Sequence, residues 1–170
     1  MYRNQELRKD KTSYGIIDSQ SVQNADCTYE KGYDAGKKVS GIKRHITVDT
    51  NGIPCAILVS PADVSDREGA IDMIIENLDS LSEVKRFLCD GGYSGENFAE
   101  AVKLVHGAEV EVVKRNELHK FKVLPRRWVV ERSFGWLDKY RRLWKNCERF
   151  LHNSLQMIIL AFISILLRRF

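Results

Sequence analysis

One stretch of this chain can adopt only one secondary structure. Residues 126–145, RRWVVERSFGWLDKYRRLWK, separate apolar from polar side chains only when wound as an α-helix. At about 100° per residue, Arg127, Gly135, Asp138 and Arg142 fall within roughly 40° of Glu131. Val129, Val130, Phe134, Trp136, Leu137, Tyr140 and Trp144 fill the other side. A carboxylate ringed by arginines, beside a glycine that lets a bulky ligand approach, points to a site for a polyanion. Whatever else the chain forms must supply an apolar surface for this helix to cover.

Short β-rich runs supply it. YGIID (14–18) and VKRFLCD (84–90) read as buried strands that each end at an acid, Asp18 and Asp90. HITVDTNGIPCAILVS (45–60) reads as a hairpin about a Thr-Asn-Gly turn. Residues 26–44, rich in Gly and Lys, are expected to form a long loop or irregular arm. Asp66 is the expected N-cap of a helix over 67–81, and 96–106 a second helix. EVEVVKR (109–115) alternates as a strand. Pro125 suits the start of the long helix, and a final helix runs over about 153–169. Three antiparallel strands followed by βα units predict an α/β fold: a mixed five-stranded sheet flanked by helices, in the ribonuclease H-like layout. A loose tail is expected over 1–12 and one domain over 13–170.

Charge is unevenly spread. Residues 114–170 carry 14 Lys/Arg against 4 Asp/Glu, whereas residues 1–113 carry 13 against 19. Such asymmetry fits a basic face for an acidic polymer, though a solvated helical surface would look the same. Cys27, Cys55, Cys89 and Cys147 show no C-x-x-C pair and no His at zinc-ligand spacing, which favours reduced thiols in a cytoplasmic setting. The apolar run 155–167 is too short to span a bilayer, and no secretory leader is visible.

Two strand-borne aspartates and one helix-borne glutamate are the ligand set that two-metal phosphoryl transfer uses. Each acid also has a plainer reading. Asp90 before Gly91-Gly92 can be a turn former, and Glu131 among arginines a surface ion-pair network. Arg127, Arg132, Lys139, Arg141 and Arg142 line or flank the helix as candidate phosphate contacts. Lys37, Lys38, Lys43 and Arg44 form a possible second strip in the expected loop. Trp128 and Trp136 lie near the polar boundary, where stacking a base competes with core packing, and Tyr93 stands behind Asp90.

The segments GIIDSQSV, GYDAGKKVSGIKRHITVDTNG, CDGGYSG, LPRRWVVERSFGWLDKYRRL and ILLRRF resemble bacterial insertion-sequence DDE transposases of the insertion sequence family five type. The resemblance runs from about Tyr14 to Phe170 and implies Asp18, Asp90 and Glu131 as the catalytic triad. It implies two magnesium ions, replaceable by manganese, with Asp18 bridging and Asp90 and Glu131 each completing one site. It further implies DNA as partner, both terminal inverted repeats and target, with a homodimer on DNA at the nucleoid. Two features depart from related families. Leu124 and Asp138 stand where their helix signature carries Tyr and Lys, with Lys139 next door. Only 17 residues precede Asp18, where full-length members carry a DNA-recognition domain. The chain is therefore expected to be the downstream frame of a two-frame element, acting with an upstream-frame product, or a truncated remnant. A catalytically silent DNA-binding relic and a stand-alone nuclease are the competing readings.

Overall fold

A computed structural model of the chain describes residues 11–113 and 128–168. Six strands form one mixed sheet: β1 (Tyr14–Gln23), β2 (Gly32–Asp34), β3 (Val39–Val48), β4 (Pro54–Pro61), β5 (Arg86–Asp90) and β6 (Glu109–Val113). The described helices are α1 (Asp66–Glu76), α2 (Leu78–Leu81), α3 (Glu96–His106), α4 (Trp128–Leu137) and α5 (Leu151–Leu167). A single 3-10 turn (Gly91–Tyr93) follows β5. The order across the sheet is β2-β3-β1-β5-β6, with β4 on β3 beyond β2. β1 to β4 pair antiparallel, and β5 and β6 run parallel to β1. A curled mixed sheet of this order with helices on both faces is a ribonuclease H-like arrangement.

Alternation along β1 explains why both faces are covered. Ile16 and Val22 join one core with Leu88 and with Val129, Val130, Phe134 and Leu137 of α4 and Ile158 and Phe162 of α5. Ile17 joins the other core, with Met73 and Ile74 of α1 and Phe98 and Val102 of α3. Two apolar cores back to back hold β1 as the central strand. No described helix is long and apolar enough to cross a membrane.

Four expectations need correction. The stretch 26–44 is not one loop: it contains β2 and the first half of β3, so the sheet has six strands. β1 does not stop at Asp18 but continues five residues to Gln23. Ser65, not Asp66, caps α1, its side chain accepting from the Glu68 N–H. The described part of the long amphipathic helix ends at Leu137, and the chain then turns through Tyr140 and Leu143 to Asn146. There it docks on the end of β1: Asn146 N–H donates to Gln23 O at 2.8 Å, and Ala25 N–H donates to Asn146 O at 2.8 Å.

Candidate carboxylate site

The parallel register of β1 and β5 pairs Tyr14 with Arg86, Gly15 with Phe87 and Ile16 with Leu88. Asp18 and Asp90 each stand two residues beyond the last of these pairs, on neighbouring strands. Both keep the facing of Ile16 and Leu88, towards the core that α4 covers. Burial raises the Cys89 thiol above its ordinary range, and Asp90 and Asp18 both push it further, as expected if the two carboxylates flank it. Backbone donors orient each acid: Ser19 N–H to Asp18 Oδ1 and Gly92 N–H to Asp90 Oδ1, both at 2.8 Å. The second bond is the cap of the 3-10 turn, so the turn-forming role foreseen for Asp90 exists alongside its place in the pair.

Glu131 lies exposed on α4. That helix is pinned at its start to the β3–β4 turn, where Arg132 Nη2 donates to Asn51 O at 2.6 Å and Ser133 Oγ to Gly52 O at 2.9 Å. Gly52 is needed there: its φ is +83°, and a Cβ would stand 2.8 Å from Ser133 Oγ. Further along, Asp138 accepts from Gln20 Nε2 at 3.2 and 3.3 Å, and Leu143 O accepts from Arg44. Because the turn abuts the start of β1 and Gln20 lies near its end, α4 runs in the direction of β1. Glu131 shares the azimuth of Asp138 within about 20° and precedes it by about 10 Å, while Asp18 precedes Gln20 by about 7 Å. The acid-bearing flank of α4 therefore follows the line of Asp18 and Gln20. Among the described residues, no three His, Cys, Asp or Glu side chains gather tightly enough to hold a metal ion. The two aspartates lie on neighbouring strands of the face that α4 covers, and Glu131 is carried by α4.

The basic candidates separate sharply. Lys43 and Arg44 sit in β3, not in a loop, and are 4% and 1% exposed. Lys43 Nζ donates to Val64 O at 2.7 Å and pairs with Asp66 at 2.9 Å and Asp34 at 3.5 Å. Arg44 donates to Gln20 and Leu143 O; burial lowers its pKa to about 10 although Asp138 pulls it up. Both are structural cations, which removes them from a surface strip. Lys37 reaches Asp66 and Ser19, while Lys38 is exposed with φ 55° in the turn before β3. Arg132 lies between the rings of Trp128 and Trp136, at 4.7 and 4.9 Å. Arg142 pairs with Glu148 at 2.8 Å, and Lys139 and Arg141 are exposed beyond α4. Arg127 lies outside the described residues. Tyr93 is buried against Phe98, its hydroxyl held protonated by burial and by Asp18 and Asp66. The sequence reading missed the cluster behind Asp18, where Ser19, Ser21, Asp34, Lys37, Lys43 and Asp66 converge on the opposite face of β1. No single short motif signals it, because its members come from four elements and the turn between β2 and β3.

The fold is a ribonuclease H-like mixed sheet with acids on two neighbouring central strands and on the helix that covers them. The family model described as a transposase DDE domain matches residues 9–167, and the chain belongs to that family. It is similar to a Burkholderia cepacia protein named "Putative transposase for insertion sequence element IS402", 30% identical over 120 residues. That match covers 64% of this chain and 54% of the relative, so the chain spans about half the length of the curated protein it matches.

Proposed function

We propose that this chain is the catalytic domain of an insertion-sequence transposase of the family five type, cutting DNA at the element ends and joining it to target DNA. The observation that supports the reading is the parallel pairing of β1 with β5, the strands that carry Asp18 and Asp90, in a sheet face covered by the helix that carries Glu131. Hard carboxylate oxygens suit magnesium, or manganese in its place, and a substrate phosphate completes such a shell. Asp18, Asp90 and Glu131 are the residues that would hold the ions. Such ions, when bound, would supply activation of the attacking oxygen and stabilisation of the leaving one.

The chain's own residues do the rest. The Ser19 and Gly92 N–H groups aim the two aspartates, so the ligand oxygens are set before DNA arrives. Burial of the strands' apolar residues beneath α4 keeps the pair at one edge of the core. Water attacks the phosphodiester first, and the 3′-hydroxyl it frees then attacks target DNA at the same carboxylates. No protein nucleophile is required. Two ends must be joined, so two copies of the chain act together on DNA, with any upstream-frame product supplying end recognition.

One observation favours the silent DNA-binding relic instead: no described trio of acids is gathered tightly enough for a metal. The two readings part in one assay. Purified chain is incubated with supercoiled and element-end DNA, with and without magnesium, beside Asp18→Ala and Glu131→Gln. Nicking that needs magnesium and vanishes in both variants supports the transposase. Binding without cutting in all three proteins supports the relic.

A further inference from the structure

Beyond the end of α4 the surface holds a cleft of about 420 Å³, lined by Trp136, Lys139, Tyr140, Arg141, Ile165 and Arg168. Three cations and two aromatic side chains share the lining, and among the described residues no carboxylate does. Lys139, Arg141 and Arg168 make no ion pair among the described residues, whereas their neighbour Arg142 is neutralised by Glu148 and Lys43 by Asp66 and Asp34. Gathering three like charges costs free energy unless an anion shares the space. The cations also come from two separated parts of the chain, the turn after α4 and the last residue described after α5, so their meeting is a product of the fold. Trp136 lies about 140° around the helix from Glu131, which puts the cleft on the opposite flank of α4 from the carboxylates.

We propose that this cleft is a second, metal-independent DNA subsite, in which Lys139, Arg141 and Arg168 hold backbone phosphates while a sugar or base lies against Trp136 and Tyr140. The proposal rests on the DNA reading above. Planar guanidinium groups suit bidentate phosphate contact, the lysine adds a point charge, and aromatic floors accept any base, so the site grips DNA without reading sequence. Its place outside the carboxylate face suits a stretch of duplex that must be held while another is cut.

The test is equilibrium binding of a fluorescein-labelled DNA duplex to the full chain across a salt series, in chelator so that metal plays no part. Wild type is compared with the triple variant Lys139→Gln, Arg141→Gln, Arg168→Gln and with a control, Lys85→Gln and Lys103→Gln, on other surfaces. Each lost phosphate contact removes about 0.9 from the slope of log K against log salt. The triple variant is expected to bind about tenfold or more weakly at roughly 0.1 M salt, with its slope reduced by about 2 to 3, while the control matches wild type. Circular dichroism is expected to be unchanged, because all three side chains are exposed. An unchanged slope in the triple variant overturns the cleft; if wild type still cuts DNA in an Asp18-dependent way, the catalytic reading survives that result. Wild type that neither binds nor cuts DNA overturns both.

Discussion

His45 gives the sharpest pH test of the fold behind the candidate site. It lies on β3 opposite Ser19, fully buried, with Nε2 2.9 Å from Ser60 Oγ. Burial holds its pKa down to about 4 from 6.5; Asp66 pulls it up, and Lys43 and Lys37 push it down again. A histidine with a depressed folded pKa stays neutral in the fold and is protonated in the unfolded chain between the two values. Between pH 6.5 and about 4 the unfolded chain therefore binds the extra proton, and stability falls as pH falls through that window. Relative to neutral pH, the loss is about 2 kcal/mol at about pH 5 and approaches about 3 kcal/mol over the whole span.

Urea unfolding followed by tryptophan fluorescence at about pH 7.5, 6 and 5 measures this directly. The variant His45→Gln keeps a partner for Ser60 but cannot titrate, so its stability should change by less than about 0.5 kcal/mol over the same range. Asp34 does not confuse the result. Burial raises its pKa, but hydrogen bonds from Ser21 and the Lys37 backbone and the charges of Lys43 and Lys37 bring it down to about 2. Its stabilisation is present above the ordinary value of 3.8 and is lost only below it. If wild type and His45→Gln lose stability in parallel between about pH 7.5 and 5, His45 is not the group that titrates and the burial argument fails.

Three further substitutions test the packing on the two faces of the sheet. Gly69→Ala would place a Cβ 2.2 Å from the His45 ring, and the clash should cost about 2 kcal/mol, read as a lowered melting temperature. Lys43→Met removes the cation shared by Asp34 and Asp66 and should cost about 3 kcal/mol in urea unfolding, with part recovered by adding Asp66→Leu. Arg132→Ala loses the bond to Asn51 O and the contacts with two tryptophans, and should cost about 2 kcal/mol by the same measurement.

The parts of the fold legible in the sequence are those where polarity follows burial. β5 and α3 appear where apolar spacing put them, and Asp18 and Asp90 fall on neighbouring strands. The first half of β3 was hidden because it buries Lys43 and Arg44, charges that make a strand look like a loop. What permits their burial is distant in sequence: Asp34, Asp66, Gln20 and the Leu143 carbonyl. The early end of α4 was hidden for another reason. Leu137, Tyr140 and Leu143 are spaced by three, which suits an α-helix but equally the successive turns Tyr140 N–H to Leu137 O and Leu143 N–H to Tyr140 O. Asn146 decides between them by docking on Gln23 and Ala25, a contact between residues more than a hundred positions apart. The two aspartates were readable as acids closing apolar runs, but their placement on neighbouring strands depends on the parallel pairing of β1 with β5, which no local pattern encodes.

The proposed metal site carries a thermodynamic consequence. If Asp18 and Asp90 hold a divalent ion, magnesium binds the folded chain and has no comparable site in the unfolded one, so it must stabilise the fold. At a free concentration about twenty times its dissociation constant the gain is about 1.8 kcal/mol, which for a chain of this size raises the melting temperature by about 4 to 7 °C. Calcium, with the same charge and oxygen preference, should also raise it, whereas sodium at equal ionic strength should not. Asp18→Asn removes one ligand charge from the pair and should abolish most of the shift, while Asp72→Asn, exposed on α1, should retain it. A magnesium shift that is equal in wild type and Asp18→Asn would place the ion elsewhere, and the strand register would then mark a structural pair of acids rather than a metal site.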